Sequence, residues 1–232
     1  MTISARSGDK GGVKLAKTEF RGIPVHHETW GAGLPLLMLH GGGSSSAQWQ
    51  RVASCLQDQR RIVAPDLIGF GKTGAWPEPG RLSHDLQADL VAALIEEEGA
   101  GAVDVVGHSY GGATAVRLVL RRPELVRTLV LVEPLLATLL RDAGDLLFDE
   151  YHGMAEGFVH HTHAGRDRAA WELFLDYRNG PGTWAGMAEK AKARFLGAVA
   201  DVVEKRVGVI SGLFNEPGPA LSRRRRSRHG TG

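Results

Sequence analysis

The sequence predicts an α/β fold: a mostly parallel, twisted sheet with helices on both faces. Three observations carry this. Short continuous apolar runs alternate with amphipathic helical stretches, the pattern of strands covered on both sides. Four of those runs end on polar or glycine-rich exits, at His40, Asp66, Ser109 and Glu133. Parallel sheets gather their functional groups just beyond such carboxyl ends. Past Leu135 the strand-like runs stop and helical segments take over, which predicts a helical cap over the strand ends.

Element by element, residues 1–17 are polar and glycine-rich and read as a disordered leader. Glu19 to Thr29 holds β-formers around a Gly22-Ile23-Pro24 turn, an antiparallel hairpin. Leu34 to Leu39 is a strand that runs into His40-Gly41-Gly42-Gly43. Ala47 to Gln59 reads as a helix with Trp49, Val52, Ala53 and Leu56 inward. Arg61 to Ala64 is a strand ending at Pro65-Asp66, followed by a glycine-rich loop from Gly69 to Gly74. Ser83 fits an N-cap, with Asp85 in the first turn of a helix reaching Glu98. Val103 to Val106 is a strand, Ala113 to Arg121 a helix, and Thr128 to Val132 a strand ending at Glu133-Pro134. The cap is predicted as helices over Leu135–Arg141, Asp145–Phe158, Arg168–Tyr177, Thr183–Ala200 and Val202–Leu213, broken by Asn179-Gly180-Pro181-Gly182. The predicted organisation is a leader over 1–17, a core over 18–134, a cap over 135–214 and an arginine-rich tail over 215–232.

Bulk composition excludes several classes. Hydrophobic residues make up 43% of the 232 and charged residues 23%, as in an ordinary globular protein. One cysteine, Cys55, provides no disulfide framework and fits a reducing, cytoplasmic setting. No secretory h-region opens the chain, and no apolar stretch is long enough to span a bilayer. The net charge of +2 comes from the tail. Without the arginines at 223–226 and 228, 23 basic residues face 26 acidic ones. That balance argues against a nucleic-acid surface.

The most informative motif is Gly107-His108-Ser109-Tyr110-Gly111 between a strand and a helix. A serine there sits on a tight strand-to-helix turn with its hydroxyl exposed as a nucleophile. The turn needs a strained, positive-φ serine, and a Cβ on either flanking glycine would clash with the closing strand and helix.

With His40-Gly41-Gly42-Gly43, Asp66-Leu67-Ile68-Gly69-Phe70-Gly71 and Leu129-Val130-Leu131-Val132-Glu133-Pro134, this motif makes residues 18–215 resemble the α/β-hydrolase fold. The resemblance implies a serine hydrolase that acts on a small ester or related carbonyl compound through an acyl-enzyme on Ser109. It implies backbone oxyanion donors at Tyr110 and at Gly41 or Gly42. His40 would shape that loop, and His108 would pack against it, turned away from Ser109. No metal or organic cofactor is implied. The expected partner is a small-molecule substrate, with neither nucleic acid nor membrane.

The acid and base are the open points. The family's chain order is serine, then acid, then histidine. Glu133 stands where some members place the acid; the alternative makes it a carboxylate at the base of the cap. The histidine would follow two further strand–helix units, and the sequence instead runs from Leu213 into the arginine-rich tail, as in a truncated chain. His152, His160, His161 and His163 fall in the cap and His229 in the tail. The resemblance therefore leaves a second reading, a catalytically inactive binding or interaction protein. An exposed sheet edge where the missing strands would pair predicts self-association.

Other signals fall away. Gly69-Phe70-Gly71-Lys72-Thr73 resembles the end of a phosphate loop, but the required first glycine is Asp66. Gly99-Ala100-Gly101 lacks its third glycine, since position 104 is Asp104. His160, His161 and His163 lack a partner at ligand spacing. Trp171, Phe174, Tyr177 and Trp184 read as cap core, with one of them available to line an acyl pocket.

Overall fold

The computed structural model describes residues 16–77, 82–99, 101–193 and 195–196. Six strands form one sheet: β1 (Ala16–Phe20), β2 (Ile23–Trp30), β3 (Leu34–Leu39), β4 (Arg60–Pro65), β5 (Val103–His108) and β6 (Val126–Val132). Their spatial order is β1-β2-β4-β3-β5-β6. The first two join antiparallel, and β4, β3, β5 and β6 run parallel. The parallel strands therefore send all their carboxyl ends to one edge, which carries His40, Asp66, Ser109 and Glu133.

Helices cover both faces. Against one lie α2 (His84–Glu98) and α3 (Tyr110–Arg121), burying Leu90, Val91, Ile95 and Leu118 on Leu37, Val63 and Val105. On the other, a short 3-10 turn at Ser46–Trp49 and α1 (Gln50–Leu56) bury Trp49 and Ala53 on Leu36, Met38 and Ile62. Ser83 caps α2 by accepting the Leu86 N–H at 3.1 Å, and Gly99 ends it in the left-handed region. The segment expected to form the cap holds α4 (Ala137–Ala143), α5 (Leu147–His163), α6 (Asp167–Asn179) and α7 (Thr183–Gly186). Its core is Phe158, Trp171, Leu175 and Trp184.

Several sequence expectations need correction. The hairpin turns at Arg21-Gly22, both with positive φ, the two-residue turn whose twist suits a hairpin; Ile23 and Pro24 already belong to β2. The first strand starts at Ala16, inside the segment read as leader. Val52 is 41% exposed, because Trp49, Ala53 and Leu56 fill the buried stripe and leave Val52 at its rim. The helix expected over Thr183–Ala200 breaks: α7 ends at Gly186, and Met187 is extended at ψ 144°. Residues 189–193 are helical again. Residues 1–15, the expected Val202–Leu213 helix, the tail and His229 lie outside the described residues.

β6 is the last described strand, and among the described residues nothing pairs with its far edge. Val130 there is 52% exposed, with Leu131 and Val132 also open.

Candidate active site

Ser109 links β5 to α3 with φ 49° and ψ −111°, a conformation that costs a non-glycine residue on the order of 1–3 kcal/mol. The surroundings impose it. A Cβ on Gly107 would lie 2.6 Å from the Gly111 carbonyl oxygen, and one on Gly111 would lie 2.5 Å from that of Leu39. A Cβ on Gly112 would meet Pro134 at 2.9 Å. The glycines thus let the first turn of α3 press against β3 and the β6 exit. Hydrogen bonds close the turn: Ser109 N–H donates to the Val132 carbonyl at 3.0 Å, and the Ser109 carbonyl accepts from Leu135 N–H at 3.1 Å.

The glycine loop after β3 is held from behind by His40. Its Nε2 accepts the Leu67 N–H at 3.0 Å, so the proton sits on Nδ1 and is donated to the Gly41 carbonyl at 2.8 Å. Asp66 is buried and ties two loops together, accepting from Ser46 N–H at 2.6 Å and Lys72 N–H at 2.8 Å. Both residues stand at strand exits as predicted, and both act on backbone rather than facing Ser109.

Gly41, Gly42, Gly43, His108, Ser109 and Glu133 line one cavity of about 390 Å³, which Phe174 and Arg178 of α6 close from the cap side. Trp171 of the cap rests 3.2 Å from the position of a Cβ on Gly43. Tyr110, the other predicted donor, is not among the lining residues: its ring is buried, 4.4 Å from His84 and 5.2 Å from Phe70, and its hydroxyl meets Gln87 Nε2 at 3.2 Å. Burial lowers the His84 pKa to about 3, so that ring stays neutral under the elbow.

Of the two predicted loop donors, Gly41 is already engaged. Its N–H donates to Gln48 Oε1 at 3.1 Å, whereas the Gly42 N–H has no hydrogen bond among the described residues. His108 points at the same loop, as expected, with Nδ1 3.2 Å from Gln48 Nε2.

Glu133 also has a positive φ, 45°. Its carboxylate is 74% exposed, and its partner is Arg178 at 3.7 Å. No described histidine hydrogen-bonds to Glu133 or Ser109. His152 pairs with Glu156, His161 accepts from Arg166, and none of the four cap histidines lines the cavity. Gln48 and Arg178 are among the cavity residues that the sequence did not single out, with Ser44, Ala191 and Phe195. Gln48 lies 60 positions from His108, and Arg178 looks like any exposed helix charge. Phe174 is the one cap aromatic of the predicted four that lines the cavity. Among the described residues, no cluster of three metal-ligating side chains occurs and no helix is long and apolar enough to cross a membrane.

Comparison with known proteins places the chain. Residues 35–189 match the family model described as the alpha/beta hydrolase fold, and the chain belongs to that family. It is 37% identical over 114 residues to a 2-hydroxymuconate semialdehyde hydrolase of a Pseudomonas species, covering 48% of this chain and 40% of that one. It is 36% identical over 148 residues to an esterase of Mycobacterium tuberculosis, covering 63% and 47%. The chain therefore spans less than half the length of these curated relatives. Among solved structures, the thioesterase domain from the curacin biosynthetic pathway is 30% identical with a TM-score of 0.51, over 54% of this chain and 46% of that one. A mutant haloalkane dehalogenase from Agrobacterium tumefaciens shares the fold at 21% identity, with a TM-score of 0.64 over 91% and 71%.

Proposed function

We propose that this chain belongs to a serine hydrolase that cleaves a small ester or related carbonyl compound through an acyl-enzyme on Ser109. The observation that carries the reading is the imposed left-handed backbone of Ser109 at the mouth of a cavity walled by the glycine loop. In this reaction Ser109 Oγ attacks the carbonyl carbon while its proton passes to a base. The carbonyl oxygen becomes an oxyanion that the Gly42 and Tyr110 N–H groups receive, each such donor being worth about 3 kcal/mol of barrier. The tetrahedral intermediate then expels the alkoxide, which takes the proton. Water attacks the remaining acyl group, releasing the acid and restoring Ser109.

Glu133 serves as the orienting acid only when a histidine takes the place of Arg178 beside it. Relatives named as an esterase and a thioesterase domain support an acyl-transfer substrate. A second reading, a binding protein without turnover, is favoured by one observation: no described histidine bonds to Ser109 or Glu133. Incubation with p-nitrophenyl acetate separates the two. Acetylation of Ser109 found by peptide mass spectrometry, and lost in Ser109→Ala, supports the hydrolase. An unacetylated Ser109 in folded protein supports the binding protein.

A further inference from the structure

We infer that Gln48 is a positioning residue of the glycine loop, fixing the Gly41 peptide so that the next N–H, that of Gly42, faces the carbonyl of a bound substrate. The inference rests on the reading of Ser109 as nucleophile.

The orientation of the Gln48 carboxamide follows from its neighbours. The Gly41 N–H can only donate, so the atom 3.1 Å from it is the amide oxygen. The amide NH2 then faces His108 Nδ1 at 3.2 Å. An NH2 group only donates, so Nδ1 accepts and the His108 proton lies on Nε2. One side chain thus joins the residue before the nucleophile to the first glycine of the loop. His108 also explains why position 41 is glycine: φ there is not in the left-handed range, but a Cβ would lie 2.7 Å from His108 Nδ1. On the other side, Gly43 is left-handed at φ 71° with Trp171 against it. Gly42 is held between two fixed residues, and it lines the cavity.

An oxyanion donor works because it is aimed before charge develops. Without Gln48, the buried Gly41 N–H loses its partner and the peptide turns to find another, carrying the Gly42 N–H off its line. Gln48 acts through Gly41, and nothing requires it to touch substrate.

The test compares the native chain with Gln48→Leu and Gln48→Glu. Leucine removes both bonds. Glutamate keeps an acceptor for Gly41 N–H but has no donor for His108. Labelling of Ser109 by a fluorophosphonate should slow by up to about 100-fold in Gln48→Leu, the scale of a reacting geometry displaced by about 1 Å. Gln48→Glu should recover most of that rate. ¹⁵N NMR should show the His108 proton on Nε2 in the native chain and moved to Nδ1 in Gln48→Glu. The Gly41 and Gly42 amide signals should shift in Gln48→Leu, with the thermal midpoint within a few degrees of native. Native labelling rates and unshifted Gly41 and Gly42 amides in Gln48→Leu would overturn the inference. A native chain that never labels overturns the hydrolase reading instead, and the NMR signals alone then decide the role of Gln48.

Discussion

Ser109 and Glu133 end neighbouring parallel strands, and both adopt a left-handed backbone, at φ 49° and 45°. The two sites are nonetheless held in different ways. Around Ser109 the constraint is backbone against backbone: Gly107, Gly111 and Gly112 each leave too little room for a Cβ. Around Glu133 the side chain is 74% exposed, and its ion pair among the described residues is with Arg178 at 3.7 Å. The elbow is fixed by atoms that every residue has, while the Glu133 side chain is held by one long ion pair, although the backbone on either side of it bonds to Ser109. The backbone around Ser109 is therefore over-determined by its neighbours, and among the described residues the Glu133 side chain is not.

The comparison breaks most directly at Gly111. Gly111→Ala should destabilise the protein by about 3 kcal/mol, the upper range for overpacking, measured by urea unfolding. Gly153→Ala is the control. It lies in α5 with nothing within 4 Å of its Cβ position, and it should leave stability unchanged or raise it by up to about 1 kcal/mol.

Next in size is the other end of the strands. Asp104 at the start of β5 accepts from Arg127 Nε at 2.9 Å, from Thr128 Oγ1 and from Arg60, which joins β4, β5 and β6. Its carboxyl is held well below the usual range, first by Arg127 and then by Thr128 and Arg60. Asp104→Asn should cost about 2 kcal/mol at neutral pH, the scale of hydrogen bonds to a charged group. Because the folded pKa is depressed, this stabilisation is present above the unfolded value of about 3.9 and fades as pH falls below it. His84 behaves in the same direction over a higher window. Its folded pKa of about 3 lies under an unfolded value of about 6.5, so stability falls as pH drops between them. Stability measured against pH should therefore begin to decline on the elbow side near pH 6.5, and the Asp104 contribution should follow below pH 4. In Asp104→Asn the lower step should shrink, with Asp85, whose carboxyl Arg117 holds low, still contributing to it, while the upper one remains.

The sequence made the elbow legible because its constraints are local: a strand, a pentapeptide and a helix between Val103 and Arg121. The strand exits were legible for the same reason, since an apolar run and its polar end are adjacent. What it hid was set by distant packing. Val52 lies at the rim of a stripe that Trp49 and Ala53 already fill. Gln48 and His108 meet across 60 positions, and Arg178 reaches Glu133 only because α6 crosses the β6 exit. Met187 leaves the helix after Gly186, where helical periodicity continued in the sequence and Phe195 returns to stack 4.9 Å from Trp171.

Two smaller effects sharpen the contrast. Ser109→Gly should stabilise the fold by about 1 kcal/mol, because glycine adopts the left-handed turn without strain; thermal unfolding measures it. Glu133→Gln should change stability by less than about 0.5 kcal/mol, as expected for a long, exposed ion pair.

Mass spectrometry of the folded chain after exposure to a fluorophosphonate probes the nucleophile itself. A single adduct is expected on Ser109, absent from Ser109→Ala. Intact, unmodified Ser109 in a chain that stays folded throughout the exposure would contradict the reading of Ser109 as nucleophile.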